Sequence, residues 1–171
     1  MTDLPKRTLG RTGLDVTTLG YGAMELRGAP RGRDISPEDA ERMLNAVLDQ
    51  GINFIDTSID YGQSEELIGR FISSRRDEFF LASKCACVVG RDPAFKDGKL
   101  EHDFSAQNVR AGVEQSLRRM KTDHLDLVQV HSSPSRAVLE EHGTVRAMEA
   151  LRAEGKVRFL GFSSHTPELP T

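Results

Sequence analysis

Gly51-Ile-Asn-Phe-Ile-Asp-Thr-Ser-Ile-Asp-Tyr-Gly-Gln-Ser-Glu-Glu-Leu-Ile-Gly69 carries the pattern that decides the fold. Ile52 to Ile55 is a largely apolar run of strand length, Asp56 follows it, and a loop containing Tyr61 leads to Ser64. From there Leu67, Ile68, Phe71 and Ile72 recur at helical spacing to about Ser74. A strand, a polar loop and an amphipathic helix make one βα unit, and repetition of that unit implies a parallel sheet covered by helices.

The repetition extends in both directions. Upstream, Thr18 to Gly22 reads as a first core strand, and Ser36-Pro-Glu-Asp39 opens a helix. Ser36 can accept from first-turn amides, Pro37 suits the first helical position, and the two acids favour the positive end of the helix dipole. Ala40, Met43, Leu44, Val47 and Leu48 form the inward face of that helix, and Gly51 stops it. Downstream, Phe79 to Ser83 is a third strand; Ser105 caps a helix with Val109, Val113, Leu117 and Met120 inward; Leu125 to Val130 is a fourth strand. A helix over Thr144 to Glu154, with Val145, Met148 and Leu151 on one side, leads to a fifth strand at Val157 to Phe162. A further helix is expected to begin at Thr166-Pro167-Glu168. Before the first unit, Gly10-Arg-Thr-Gly13 between short apolar pieces predicts a small hairpin outside the main sheet. The fold class is therefore α/β, a parallel (β/α)8 barrel type, incomplete at about five strands and four helices, in one partial barrel domain over 1–171.

Charge narrows the function classes. The 23 basic and 26 acidic residues are interspersed, which argues against nucleic acid and anionic lipid as partners. No apolar run approaches the roughly 20 residues that span a bilayer, and Met1 to Gly10 lacks a signal-peptide core, so a cytoplasmic location is expected. The two cysteines, Cys85 and Cys87, form no disulfide framework; lacking a second cluster, Cys-x-Cys reads as small side chains near a strand end rather than a metal site. His102, His124, His142 and His165 show no metal-ligand spacing, and no metal is expected.

In a parallel barrel the active site lies at the C-terminal strand ends. Gly22, Asp56, Lys84, His131 and Ser163 each close or follow one of the five strands, so all reach one rim. Singly, Asp56 reads as a turn cap, Lys84 as a solvated charge and His131 as a hydrogen-bonded neutral ring. Together, Asp56 and Lys84 sit on adjacent strands where a carboxylate and an ammonium can hold one another charged. An ammonium beside Tyr61 would make that phenol a better proton donor and acceptor near neutral pH, and His131 can orient a carbonyl oxygen.

These segments resemble the aldo-keto reductase family. The resemblance rests on Gly51 to Gly69, on Leu9-Gly-Arg-Thr-Gly-Leu-Asp-Val16 with Leu19-Gly-Tyr-Gly-Ala-Met24, on Phe80-Leu-Ala-Ser-Lys84 and on Leu125-Asp-Leu-Val-Gln-Val-His131. It implies reduction of a small aldehyde or ketone by NADPH, with NADH as the alternative. By it, Tyr61 is the general acid, Lys84 lowers the phenol pKa, Asp56 holds Lys84, and His131 orients the carbonyl. It further implies that Ser163 and Ser164, within Gly161-Phe-Ser-Ser-His165, meet the nicotinamide carboxamide, and that backbone at Gly22, Ala23 and Met24 borders the cofactor or substrate cleft. Ser164 stands where many members have asparagine. Competing nicotinamide folds fit poorly: no Gly-x-Gly-x-x-Gly follows a strand, and Tyr61 and Lys84 are 23 positions apart.

A closed barrel needs eight units and typically about 250 residues. The expected strands one and five would be open edges, which favours self-association or a complementing C-terminal segment. The alternative expectation is an inert truncated half barrel, or a partner-binding fragment, lacking the cofactor phosphate site.

Overall fold

The computed structural model describes residues 4–90, the backbone of 95–96 and 99–100, and residues 101–164. The expected helix at Thr166-Pro167-Glu168, and His165, lie outside them. A hairpin of β1 (Lys6–Thr8) and β2 (Asp15–Thr17) comes first, in antiparallel register Arg7↔Val16. The main sheet has β3 (Tyr21–Gly22) at one edge, then β4 (Phe54–Asp56), β5 (Phe80–Cys85), β8 (Leu125–His131) and β9 (Val157–Ser163), all parallel. Between β5 and β8 a short antiparallel pair, β6 (Phe95–Lys96) and β7 (Lys99–Leu100), leaves the sheet. Helices α1 (Pro37–Asp49), α2 (Ser64–Phe71), α3 (Ala106–Met120), α4 (Arg136–Glu141) and α5 (Thr144–Ala153) make the outer layer. The described strands are thus an open five-stranded part of a parallel β/α barrel.

The helices start where the sequence places them. Ser36 accepts from the Asp39 amide and Ser105 from the Asn108 amide, each satisfying a first-turn donor. Ala40, Leu44, Val47, Leu48, Leu67, Ile68, Val109, Val113 and Met120 are buried, with Met43, Phe71 and Leu117 packed partly buried against the core they form with Ile55, Leu81, Val128 and Val130.

Several boundaries differ from expectation. The first strand shortens to Tyr21–Gly22 because Thr17 Oγ1 donates to Leu19 O (2.8 Å) and accepts from Asn53 N (3.2 Å), bending the chain before it can pair. The second helix stops at Phe71 and continues as a 3₁₀ segment over Ser73–Glu78. Val145 is exposed, since α5 meets the core through Ala147, Met148 and Leu151. Helix α4 and the β6–β7 pair are additional elements.

At the lower rim Asp126 is buried yet fully engaged. Its Oδ2 accepts from the Leu81 amide (2.8 Å) and from Arg76 (2.6 Å), and its Oδ1 from Arg158 (2.7 Å). Burial raises the cost of its charge, but these donors outweigh it and hold the carboxyl below its ordinary range.

Helices α2 and α3 cross at Gly69, where an added Cβ would lie 2.0 Å from Arg119 O. At Gly112 of α3 it would meet two side-chain tips and no backbone, Ile59 at 3.2 Å and Val89 at 3.6 Å. Gly69→Ala should therefore lose roughly 2–3 kcal/mol by forcing backbone apart. Gly112→Ala should stay within about 0.5 kcal/mol of the parent, because helix propensity offsets the tight contact. Urea unfolding of both variants checks this, and equal losses would refute the crossing as the tight point.

Candidate active site

Parallel register delivers the site. Gly22 pairs with Asp56, Asp56 with Ala82, Lys84 with Gln129, and His131 with Ser163, so the strand ends converge on one rim. Lys84 is 5% exposed; its Nζ donates to Asp56 Oδ2 at 2.5 Å and to Thr57 O at 2.8 Å. The same ammonium lies 4.8 Å from the centroid of the Tyr61 ring, which reaches back from the β4–α2 loop. Tyr61 and His131 meet edge to face with centroids 6.1 Å apart.

Tyr61 titrates higher than an ordinary phenol. Desolvation is the largest cause, the charge and hydrogen bonding of Lys84 pull the other way, and Asp60 and Asp56 push it up again. Lys84 thus acts in the expected sense, but burial and the two carboxylates outweigh it. The phenol keeps its proton at neutral pH.

His131 is held from behind. Its Nδ1 lies 3.1 Å from Cys87 Sγ, 3.3 Å from Asp60 Oδ1 and 3.4 Å from Ser58 Oγ. Asp60 is nearly buried; desolvation raises its pKa, but hydrogen bonds from His131 and Ser58 and the charges of His131 and Arg31 bring it down to about 2. Just past β5 and β8, Ala86 (φ +73°) and Ser132 (φ +123°) take conformations rare for L residues, a kind of strain that clusters at functional sites.

The expected cofactor-facing positions share this rim. A Cβ at Gly22 would meet nothing within 4 Å, so the space beside it is open. Ala23 is buried and its carbonyl accepts from Ser64 Oγ (2.9 Å), while Met24 is exposed. Ser163 O accepts from the Ser132 amide (3.1 Å), and Ser164 Oγ lies 2.5 Å from Ser133 Oγ.

Three partners escaped the sequence reading. Gln129 Nε2 donates to Asp56 Oδ1 at 2.9 Å, and the two-residue period of β8 sets it on the face of His131. Asp60 lies one residue before Tyr61 and could be found only by knowing where the loop turns. Glu65 is fully buried beneath the rim: Oε1 accepts from Ser83 Oγ (2.8 Å) and Ser116 Oγ (2.6 Å), and Oε2 faces Arg119 at 3.5 Å.

The sequence matches the aldo/keto reductase family over residues 18–169. It is 36% identical to L-galactose dehydrogenase of Arabidopsis thaliana, across 95% of this chain and 49% of that protein. It is 32% identical to D-threo-aldose 1-dehydrogenase of a Pseudomonas species, across 89% and 51%. Among solved structures, aldo-keto reductase AKR11C1 from Bacillus halodurans in its holo form superposes with a TM-score of 0.79 at 33% identity, covering 96% of this chain and 51% of that one. The chain belongs to the aldo-keto reductase family of oxidoreductases. It spans about half the length of the curated relatives it matches. Among the described residues, no helix is long and apolar enough to cross a membrane.

Desolvation is the main reason that Glu65 titrates above its ordinary value, ahead of the bonds from Ser116 and Ser83 and the Arg119 charge that lower it. A carboxyl whose folded pKa exceeds its unfolded one favours folding while protonated, and that contribution is lost as pH rises through the folded pKa. Glu65→Gln keeps an oxygen for both hydroxyls and removes the charge. It should abolish this part of the stability decline above the ordinary carboxylate range, whereas Glu65→Ala should cost at least about 2 kcal/mol through a cavity and stranded hydroxyls. Chemical unfolding across pH 4.5–8 distinguishes them, and an unchanged slope in Glu65→Gln would refute the assignment.

Proposed function

We propose that the chain carries the carbonyl-reducing centre of an aldo-keto reductase that takes a small aldehyde or ketone and a reduced nicotinamide, NADPH in preference to NADH. The observation that supports it most directly is the protonated Tyr61 phenol beside a Lys84 ammonium fixed by Asp56.

The nicotinamide end fits the residues present. An added Cβ at Gly22 would meet nothing within 4 Å, so that backbone is open to close approach, and the Ser163 and Ser164 hydroxyls can donate and accept as a carboxamide requires. When bound, the reduced nicotinamide supplies a hydride to the carbonyl carbon. Tyr61 then protonates the carbonyl oxygen, so the carbonyl gains one hydride and one proton and leaves as an alcohol. Lys84 stabilises the phenolate left behind, and Asp56, steadied by Gln129, keeps that ammonium in place. His131, anchored through Nδ1, turns Nε2 toward the substrate oxygen. The half-length match favours completion of the barrel by further chain or by a second copy, because the five described strands of the sheet leave two open edges.

NADPH titration of the purified, size-separated chain, with turnover of an aromatic aldehyde, tests the reading. Saturable binding with turnover is expected where self-association or further chain completes the barrel, and there Tyr61→Phe should lower kcat at least about 100-fold while Kd for NADPH changes less than about threefold. Unchanged turnover in that variant would refute the role of Tyr61. A folded chain without NADPH binding would favour the inert half-barrel reading.

A further inference from the structure

A second cluster adjoins His131. Cys87 Sγ, one ring nitrogen of His102 and one of His131 lie within 4.8 Å of one another. Asp60 Oδ1 flanks two of them, 3.3 Å from His131 Nδ1 and 3.7 Å from Cys87 Sγ, while Sγ and Nδ1 are 3.1 Å apart. In tetrahedral zinc sites, bonds of about 2.3 Å to sulfur and about 2.0–2.2 Å to nitrogen and oxygen set neighbouring ligand atoms roughly 3.4–3.6 Å apart. The three separations at Cys87, His131 and Asp60 straddle that range.

The surroundings support ligation. His102 Nε2 is buried without a hydrogen-bond partner among the described residues, a state that calls for an explanation in a polar cluster. The His102 ring stacks on Phe104 with an 8° interplanar angle, which limits its freedom. Cys87 and His102 face each other across an isolated antiparallel bridge, so two donors are presented as a pair by backbone pairing, and Ala86 just before Cys87 has a positive φ. Arg31 lies 3.5 Å from Asp60 Oδ2, on the oxygen opposite the cluster, as an outer partner that orients a ligating carboxylate. One thiol, two imidazoles and one carboxylate form a borderline-soft set, suited to zinc and unsuited to magnesium or calcium.

We propose that Cys87, His102, His131 and Asp60 form a binding site for Zn²⁺ or a similar borderline divalent ion. The Zn–S bond forms as the Cys87 S–H proton leaves to solvent; the other ligands bind through lone pairs, with a short movement of His102 closing the coordination sphere. Metal at Nδ1 of His131 leaves the ring proton on Nε2. The site stands on its own geometry and does not depend on the reductase reading.

Co²⁺ titration of the reduced chain tests it. One equivalent should bring intense tetrahedral d–d absorption and thiolate-to-cobalt charge transfer, displaced by Zn²⁺. Cys87→Ser should remove the charge-transfer band, and His102→Ala should weaken binding at least about tenfold, the loss that even outer-shell changes can produce. Cys85→Ser should change neither, with circular dichroism confirming that all variants keep the parent fold. A pale six-coordinate spectrum without charge transfer, equal loss in Cys85→Ser, or unchanged affinity in His102→Ala would each overturn the proposal.

Discussion

The carboxylate of Asp126 fixes how three strands lie beside one another. It sits on β8, takes the Leu81 amide of β5 on one oxygen and Arg158 of β9 on the other, and has Arg76 as a further donor. A buried carboxylate with this many partners tolerates no shift, because any slip strands a charge in a dry environment. Side chains alternate along a strand, so moving β8 by one residue would exchange its two faces. His131 and Gln129 would then leave the rim and its interior for the helix layer. The geometry at the upper end of the sheet therefore depends on a polar contact at the lower end.

From that register the rim follows with little further help. Lys84, Asp56 and Thr57 O form one bonded unit, Gln129 braces it from below, and Tyr61 is carried over it by the β4–α2 loop. The loop is itself pinned where Ser64 Oγ reaches Ala23 O and lies 2.9 Å from Thr57 Oγ1. Burial supplies the electrostatics: it raises the Tyr61 phenol despite Lys84, pushes the Cys85 thiol up to about 12 and raises the Cys87 thiol too. Asp60 escapes the same penalty only because His131, Ser58 and Arg31 surround it.

Much of this was legible in the residues. Ser36 and Ser105 announced their helices through capping chemistry, and apolar spacing found the faces of α1, α2 and α3. Asp56, Lys84 and His131 were legible from strand-end position and Tyr61 from the loop that follows Asp56, and the structure brings the four together. What stayed hidden depended on contacts distant in sequence. Thr17 shortens β3 through Asn53, 36 residues away, and Cys87 meets His131 across 44. Val145 fits a helical stripe by period, yet the core lies to the other side of it. Helix α4 is too short for periodicity to reveal, whereas Asp97-Gly98 between Phe95-Lys96 and Lys99-Leu100 is a hairpin signal in the residues themselves.

Glu65 changes what a family signature can report. It sits in the most recognisable stretch of the chain, a few residues from Tyr61, yet its oxygens serve Ser83, Ser116 and Arg119 beneath the rim. Selection to keep α2 seated would retain it in a descendant that had ceased to reduce anything. The stretch is therefore a record of a packed scaffold at least as much as of a reaction, and inherited chemistry and inherited architecture travel together in it.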